Sequence, residues 1–472
     1  MVLEQAGRKT RIARPCCEMD LMANIRLQGQ ASAQRLLRKL WPIRSWRRES
    51  CREGGAGAAL PQVTRTRLAA SAQVASVALP TITRSAMARK RKFDAALGSV
   101  SAKQLTAVSL FCGAGGMDVG FNRAAFKTIW AADNNSAACA TYNRYAQREI
   151  ALRRDLAKED FKELRQQLAC TPDCVFGGPP CQGFSQAGKM SQTDARNDLI
   201  NVFLGAVEKL RPRCFVMENV KNLNNRRRFR PLLDAFVQRA EKLGYSCATE
   251  VVNCNDFDVP QARERLIFVG FLRGGKLRHP RKYFFRVLRR CRKRAQTSGE
   301  VLRVLGRAGS ETNPLGSTAK IVVTKNPVLR QSPYAGMLFN GKGRPIDPSR
   351  PSPTLTASMG GNQTPIIGEK QFFDGEEGWA VGLHRDLKDQ QDKGHKKERP
   401  SVPGYLRRLT VAEAARLHTF PPNYPFGKAA YKQIGNAVPC NFAFTLACAA
   451  KETLNADGSA SPPPGILQTV SI

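Results

Sequence analysis

Acidic residues are scarce in this chain. Its 472 residues include 38 Asp and Glu against 75 Lys and Arg, a formal net charge of +37. Self-repulsion on that scale calls for an anionic partner. Nucleic acid is the first candidate, because Lys and Arg neutralise phosphates and release their counterions; the bland alternative is a solvated basic surface. Long uninterrupted apolar runs are missing as well, so no transmembrane helix is expected and no membrane partner. Repeated CxxC pairs are missing too. The 14 cysteines are scattered, and the four histidines lie far from the close pair Cys170 and Cys174. No metal is therefore expected. With no convincing signal peptide, a reducing cytoplasm with free thiols fits best. No internal repeat is visible. The apolar fraction of 42% allows a sizeable core, and the length favours two or more domains, or one large domain with an insertion.

Residues 1–100 differ from the rest. They are rich in Arg, Ala and Ser, poor in acids and without sustained periodicity. They read as disordered, with ASAQRLLRKLWPIRSW as a short basic helix before Pro42. A DNA-binding arm, a dispensable tail, a start placed too early with Met87 as the alternative, and an Arg-rich transit peptide all fit this texture; the bland tail is preferred.

From Leu105 onward, short apolar runs alternate with helical patterns. TAVSLFC, KTIWAAD, CVFGG, RCFVMEN and ERLIFVGFL read as strands. SAACATYNRYAQREI, KEDFKELRQQLA and DLINVFLGAVEKL read as helices between the first four. That alternation predicts a parallel α/β sheet. From about residue 273 the pattern breaks into Arg-, Lys-, Gly- and Pro-rich sequence with short β-like pieces such as KIVVT and TPIIG. RRLTVAEAARLHTF then predicts an amphipathic helix, with Thr410 and Glu413 at capping-box spacing. AVPCNFAFTLACAAKETL predicts a last helix before a Pro/Ser tail.

SLFCGAGGMDVG puts a glycine-rich turn directly after a strand, and Asp133 ends the next strand, 20 residues beyond Gly113. Glycines there let the backbone approach a ligand, and an acid on the second strand can hold ribose hydroxyls. A nucleoside cofactor fits this order of features better than a tight structural turn does. GAGG is not GxGxxG, so a nicotinamide dinucleotide is not implied.

FGGPPCQGFSQ sets Cys181 between two prolines and a glycine. A reactive thiol must be exposed and aimed. Pro180 fixes the approach of the chain, and Gly183 leaves room for something flat. Alone, PPC would also suit a surface loop. Glu218, in ENV, follows the buried run RCFVM, and residues at strand ends line the ligand crevice of an open α/β sheet. Arg263 and Arg265, in QARERLIFVG, are expected to point the same way on an extended segment and to hold a phosphate, a ribose or a base edge.

In this order, SLFCGAGGMDVGF, GGPPCQGFSQAGK, ENV, PQARERLIFVG, RRLTVAEAARLHTFPPNY and QIGNAVP resemble the motifs of the cytosine-C5 DNA methyltransferases, mostly bacterial modification enzymes. The resemblance runs from about residue 107 to about residue 450. It implies an α/β, Rossmann-like S-adenosylmethionine-dependent domain with a smaller, irregular target-recognition domain. It implies S-adenosylmethionine as cofactor, bound by Phe111, Gly113, Gly115, Gly116, Asp133, Asp155, Pro179 and Asn436, with Phe111 packed on adenine and Asp133 on the ribose. Asp stands at 133 where many relatives carry Glu, and either carboxylate can accept two hydroxyls. The implied chemistry flips the cytosine out of the duplex. Cys181 attacks C6, Glu218 binds and protonates N3, Arg265 positions base and thiol, and Arg263 lies near the phosphate backbone. Gln182, Ser185, Gly360, Gly361, Asn362 and Gln363 are the expected DNA contacts, the last two suited to base edges, although an ordinary loop is the simpler reading of each.

The organisation expected from all this is a basic extension over 1–100, a catalytic and cofactor-binding domain over 101–272, a target-recognition domain over 273–424, a returning segment over 425–455 and a disordered tail over 456–472. RHPRKYFFRVLRRCRKRAQ matches no motif and reads equally as a phosphate-gripping helix or a solvated linker. The expected function is transfer of a methyl group to cytosine in a specific duplex DNA sequence. The protein would be a monomer in the bacterial cytoplasm, acting alone or beside a restriction endonuclease of the same specificity. The alternatives are an RNA cytosine-C5 methyltransferase and a catalytically inactive DNA-binding relative.

Overall fold

Seven segments with apolar residues on both sides of the backbone build one sheet: β1 (Leu105–Leu110), β2 (Phe126–Asp133), β3 (Ala151–Arg153), β4 (Cys174–Gly177), β5 (Cys214–Val220), β6 (Tyr245–Asn253) and β7 (Glu264–Leu272). The structure is a computed structural model that describes residues 104–180, 199–394 and 399–458. The extension over 1–100, Met87, the short basic helix expected in it, Cys181, Gln182, Ser185 and the tail from residue 459 lie outside the described residues.

The strand order is β3-β2-β1-β4-β5-β7-β6. Pairing is parallel from β3 to β5, but β7 runs antiparallel to both neighbours. The sheet is mixed where the sequence predicted a parallel one. The cause is the link between β6 and β7, which has no crossover helix; a chain that turns back over so short a stretch must return antiparallel.

Alternate residues feed two cores. Along β5, Cys214 and Val216 face one side, and Phe215 and Met217 the other. On the first side lie helices α1 (Gly116–Arg123), α6 (Pro280–Arg290) and α11 (Cys440–Asp457), whose Phe121, Phe284, Leu288, Phe442 and Leu446 join Phe176 and Ile267. On the second lie α4 (Leu199–Leu210) and α5 (Arg230–Lys242), whose Phe203, Val207, Leu233 and Phe236 join Val108, Val175 and Phe268. Each fully buried Phe or Leu contributes about 1.5–3 kcal/mol. Two further helices, α2 (Ser136–Ala146) and α3 (Phe161–Gln167), start at side-chain caps, Asn135 and Asp160, which satisfy N–H groups the first turn cannot.

Helix α6 lies past the boundary expected at residue 273, yet its apolar face belongs to the first core of the large sheet. After it come the antiparallel pairs β8 (Val323–Val328) with β9 (Met337–Phe339) and β10 (Ile366–Gly368) with β11 (Leu406–Arg408). Helix α8 (Trp379–Asp392) packs Leu383 and Leu387 against Val323, Phe339, Ile366 and Leu406. A junction core joins Val119 of α1 to Leu302 of α7 (Ser298–Leu305), Ala414 of α9 (Val411–Leu417) and Ile434 of α10 (Ala430–Asn436). The capping box predicted at Thr410 and Glu413 is present, but it opens a shorter helix than expected, because the preceding Leu406–Arg408 is strand β11.

Candidate active site

The strand order reverses between β1 and β4, which both neighbour connections running in opposite directions across the sheet. The carboxyl ends of these two strands therefore open a crevice, the place where an open α/β sheet admits a ligand. The glycine-rich turn follows β1 on one side of it, and Gly178 and Pro179 follow β4 on the other.

The turn is held from three directions. Gly115 takes a left-handed conformation (φ 82°) and caps α1. A Cβ there would lie 2.7 Å from the Tyr142 ring, so only glycine fits. Tyr424 donates to the Ala114 carbonyl at 2.5 Å. The Gly113 N–H donates to Asp133 Oδ2 at 2.9 Å, and the Asn135 N–H donates to Oδ1 at 2.8 Å. Burial raises the Asp133 carboxyl above its usual range, and these two N–H groups oppose the rise. Each oxygen keeps a lone pair free of these bonds. A Cβ on Gly113 would meet none of the described residues within 4 Å. Phe111, at the start of the turn, is half-buried with φ 54°, and Gly116 is buried, with the Val438 carbonyl 2.7 Å from where its Cβ would be. The QIGNAVP segment thus lies against the turn, with Asn436 exposed at the end of α10. Asp155 is exposed just past β3, its Oδ1 accepting from Ala157 N–H at 3.2 Å.

Glu218 and Arg265 meet across β5 and β7. Val220 pairs with Arg265 and Glu218 with Ile267, so the two side chains are diagonal neighbours on one face. Arg265 Nε lies 2.7 Å from Glu218 Oε1, with each side chain little more than a tenth exposed. The carboxylate also faces the loop after β4: Glu218 Oε2 is 3.2 Å from the Cβ position of Gly178. The next residue, Asn219, donates from Nδ2 to the Pro179 carbonyl at 3.3 Å. Asn219 thus holds the segment after β4, and Glu218 lies against it. ENV itself forms the last residues of β5, not a loop behind it.

Arg263 does other work than the sequence suggested. Buried to 3% exposure, it donates from Nη1 to the Leu355 carbonyl at 3.0 Å, and from Nη2 to the carbonyls of Gly435 and Ala437 at 3.2 and 3.0 Å. This corrects the expected place at a phosphate. The extended segment breaks at this residue, between the two-residue strand Gln261–Ala262 and β7, so the strand alternation assumed for Arg263 and Arg265 does not apply. Arg263 fastens the start of β7 to the 355 loop and to the QIGNAVP segment. Gln261 extends the fastening through Nε2 to His418 Nδ1 at 3.0 Å. Burial holds His418 well below the usual imidazole range, and the nearby Arg263 and Arg265 lower it further, so it stays neutral.

Sequence reading missed the layer beneath the glycine turn. Asp118 of α1 is fully buried and accepts from Ser109 Oγ at 2.9 Å. Burial pushes its carboxyl up to about 7. Asp118 lies next to the glycines in SLFCGAGGMDVG, and helical periodicity from Gly116 would have turned it inward, toward β1. Gly360, Gly361, Asn362 and Gln363 are all exposed, in a single 3₁₀ turn before β10. Arg408 stands behind them, buried, donating to the carbonyls of Thr364 and Asn340 at 2.9 and 3.4 Å.

A family model described as C-5 cytosine-specific DNA methylase matches residues 105–452. Among curated relatives, Type II methyltransferase M1.HphI of Haemophilus parahaemolyticus is 30% identical over 351 residues, 71% of this chain and 83% of its own. Type II methyltransferase M.FnuDI of Fusobacterium nucleatum is 28% identical over 354 residues, covering 74% and 94%. Among solved structures, the S. pombe Dnmt2 methyltransferase superposes with a TM-score of 0.51 at 19% identity, covering 74% of this chain and 99% of that one, a likeness of fold. No helix among the described residues is long and apolar enough to cross a membrane.

Proposed function

The chain belongs to the C-5 cytosine-specific DNA methylases, and as a cytosine-C5 DNA methyltransferase it must make an unreactive ring carbon nucleophilic; we propose that it does so with the residues gathered at the carboxyl edge of the sheet. C5 and C6 are shielded inside a base stack, so the target base is first turned out of the duplex. The Cys181 thiolate then adds to C6. Glu218 binds N3 and provides its proton, which draws the addition forward and leaves the electron pair of the former C5–C6 double bond at C5. Arg265 holds the Glu218 carboxylate at 2.7 Å and fixes its direction. Loss of the C5 proton to a base later restores the double bond and expels the thiolate. Dividing one difficult step into two easier ones is the gain of covalent catalysis.

The crevice fits S-adenosylmethionine, which when bound supplies the methyl group that C5 accepts. Asp133 keeps a lone pair on each oxygen beyond its two backbone partners, enough for two ribose hydroxyls. Phe111 would cover the adenine and Asp155 would reach its edge. Gly113, Gly115 and Gly116 let the main chain come close, and Pro179 and Asn436 border the same opening. In the small domain, the exposed turn from Gly360 to Gln363 is suited to approach a groove, with Asn362 and Gln363 at base edges. Gln182 and Ser185 would flank the flipped base. The relatives' Type II names favour modification of one short duplex sequence, alone or beside an endonuclease of the same specificity.

The observation that carries this reading is the Glu218–Arg265 pair set against Gly178, three residues before Cys181. The experiment is bisulfite sequencing of plasmid DNA from a methylation-deficient bacterial host. The wild-type chain is expected to protect cytosines in one recurring short sequence. Cys181→Ala is expected to protect none while still binding duplex DNA, and unchanged protection by that variant would remove the thiol from the mechanism.

A further inference from the structure

The basic stretch after β7 has no part in the reaction above. Between Arg273 and Arg294 the chain carries eleven Lys or Arg and no Asp or Glu. Helix α6 turns Phe284, Phe285, Val287 and Leu288 into the core, which leaves Lys282, Arg286, Arg289 and Arg290 exposed. Lys282, Arg286 and Arg290 follow one another at i,i+4, a spacing at which like charges destabilise a helix. Its first turn holds no acid, and Arg281 and Lys282 there oppose the helix dipole. Carboxylates from neighbouring elements answer part of this charge: Arg281 lies 3.3 Å from Glu241, Arg289 2.5 Å from Glu250 and Arg292 3.6 Å from Asp256, and Arg290 pairs with Glu452. Exposed pairs of this kind contribute little. Lys282, Arg286 and Arg294 form no salt bridge among the described residues; Arg286 lies over the Tyr283 ring at 4.7 Å, and Arg294 acts on Glu300 only through its field. A helix that concentrates repulsion against its own stability answers a demand from outside the chain.

Its position says which. Arg281 donates to the Cys247 carbonyl at 2.9 Å, early in β6. The chain then climbs until the Lys293 N–H donates to the Asp256 carbonyl at 2.8 Å, just past the carboxyl end of that strand. β5 and β6 both run antiparallel to β7, so their carboxyl ends share one edge, the edge that carries Glu218 and Arg265. β6 lies two strand spacings, about 10 Å, from β5. That span is comparable to the width of a major groove, about 12 Å, so a duplex presenting its base to Glu218 passes beside this cluster.

We propose that the outer face of α6 and the turn through Arg294 grip the sugar-phosphate backbone of duplex DNA beside the target base, outside the base pairs that the small domain reads. Contacts of this kind fix position and carry no sequence information. The inference rests on DNA as the substrate. Its test uses the full chain and the variant Lys282→Gln/Arg286→Gln/Arg294→Gln, which spares the ion pairs and the catalytic edge. Affinity for a random-sequence duplex of about 40 base pairs is followed by fluorescence anisotropy over a salt series, and kcat by transfer of labelled methyl groups to plasmid DNA. Each phosphate contact contributes roughly 0.9 to the slope of log affinity against log salt. The variant is expected to lose roughly 2 to 3 from that slope and to keep its kcat. Lys127→Gln/Arg148→Gln/Lys209→Gln, which removes three exposed charges at the opposite, amino edge of the sheet, is expected to keep the wild-type slope. A wild-type slope in the α6 variant overturns the proposal, and so does an equal loss in the control, which would assign the effect to net charge alone. Absence of methyl transfer to DNA by the wild-type chain would instead overturn the substrate, and the slopes would still be read, since binding to random duplex requires no turnover.

Discussion

Replacing Asp118 by Asn should make the protein more stable at alkaline pH and not at acid pH. The carboxyl is fully buried beneath the glycine turn, and burial, set against the hydroxyl bonds from Ser109, Tyr142 and Thr128, raises it from an ordinary 3.8 to about 7. The sign follows from linkage. A group raised on folding contributes stability that is complete below its unfolded value, and that stability is lost as pH climbs to the folded value. The window here is therefore pH 4 to 7. The shift is about three pH units at 1.36 kcal/mol each, so the ionised native state above pH 7 bears a cost of about 4 kcal/mol. The amide never ionises. It does lose one bond, because Ser109 Oγ donates to Asp118 Oδ2 at 2.9 Å and an amide nitrogen cannot accept; that costs about 1 kcal/mol. Asp118→Asn is expected to gain about 3 kcal/mol at pH 8, with the gain gone or slightly reversed by pH 4.5. Urea denaturation at three pH values measures it. A difference between variant and wild type that does not change with pH would refute the reasoning.

Three further substitutions test the site and its frame. Glu218→Gln removes the carboxyl group that Arg265 holds, and with it the group that carries a proton to N3. Single-turnover methyl transfer is expected to fall at least about 100-fold with duplex binding retained, and a loss under tenfold would contradict the assigned role. Gly120→Ala puts a Cβ 2.4 Å from the Phe444 nitrogen and 2.5 Å from the Ala443 Cβ, so α11 must shift, and thermal denaturation should report a loss of about 1–3 kcal/mol. Gly205→Ala, in α4 with none of the described residues within 4 Å of the new carbon, should instead gain about 0.5–1 kcal/mol; a loss there would mean that the space around α4 is filled.

The parts of the molecule that could be read in advance are those set by local period. β1, β2, β4 and β5 announce themselves as apolar runs because both faces of each are buried, and Asp133 stands out because an acid ends such a run. The capping box at Thr410 and Glu413 depends on four consecutive residues and is equally local. β6 was missed because only its ends are well buried: Thr249 and Glu250 interrupt YSCATEVVN where the strand is half open to solvent. The reversed direction of β7 could not be read from composition, since it depends on how far the chain travels before returning. Charge masked the nature of α6, although Phe284, Phe285, Val287 and Leu288 already mark one helical face. Arg263 and Arg265 show the limit most directly. Two residues apart and of the same type, they differ because one stands at a break between strands and the other within a ladder, and a pairing partner distant in sequence decides which.

Helix α11 closes one face of the sheet. Phe442, Ala443, Leu446 and Leu454 join the core that α1 and α6 leave open, and Gly120 lets the two backbones nearly touch. On the ribosome this cover is made last. While residues 105–438 are already outside the tunnel, Phe176 and Val216 still lack the helix that buries them, and the turn that Val438 braces is unsupported. A nascent chain therefore presents a sticky, inactive surface until almost the whole domain has been translated. Premature termination anywhere before α11 should yield protein destined for proteolysis, so a truncated copy could not occupy DNA in place of the working enzyme.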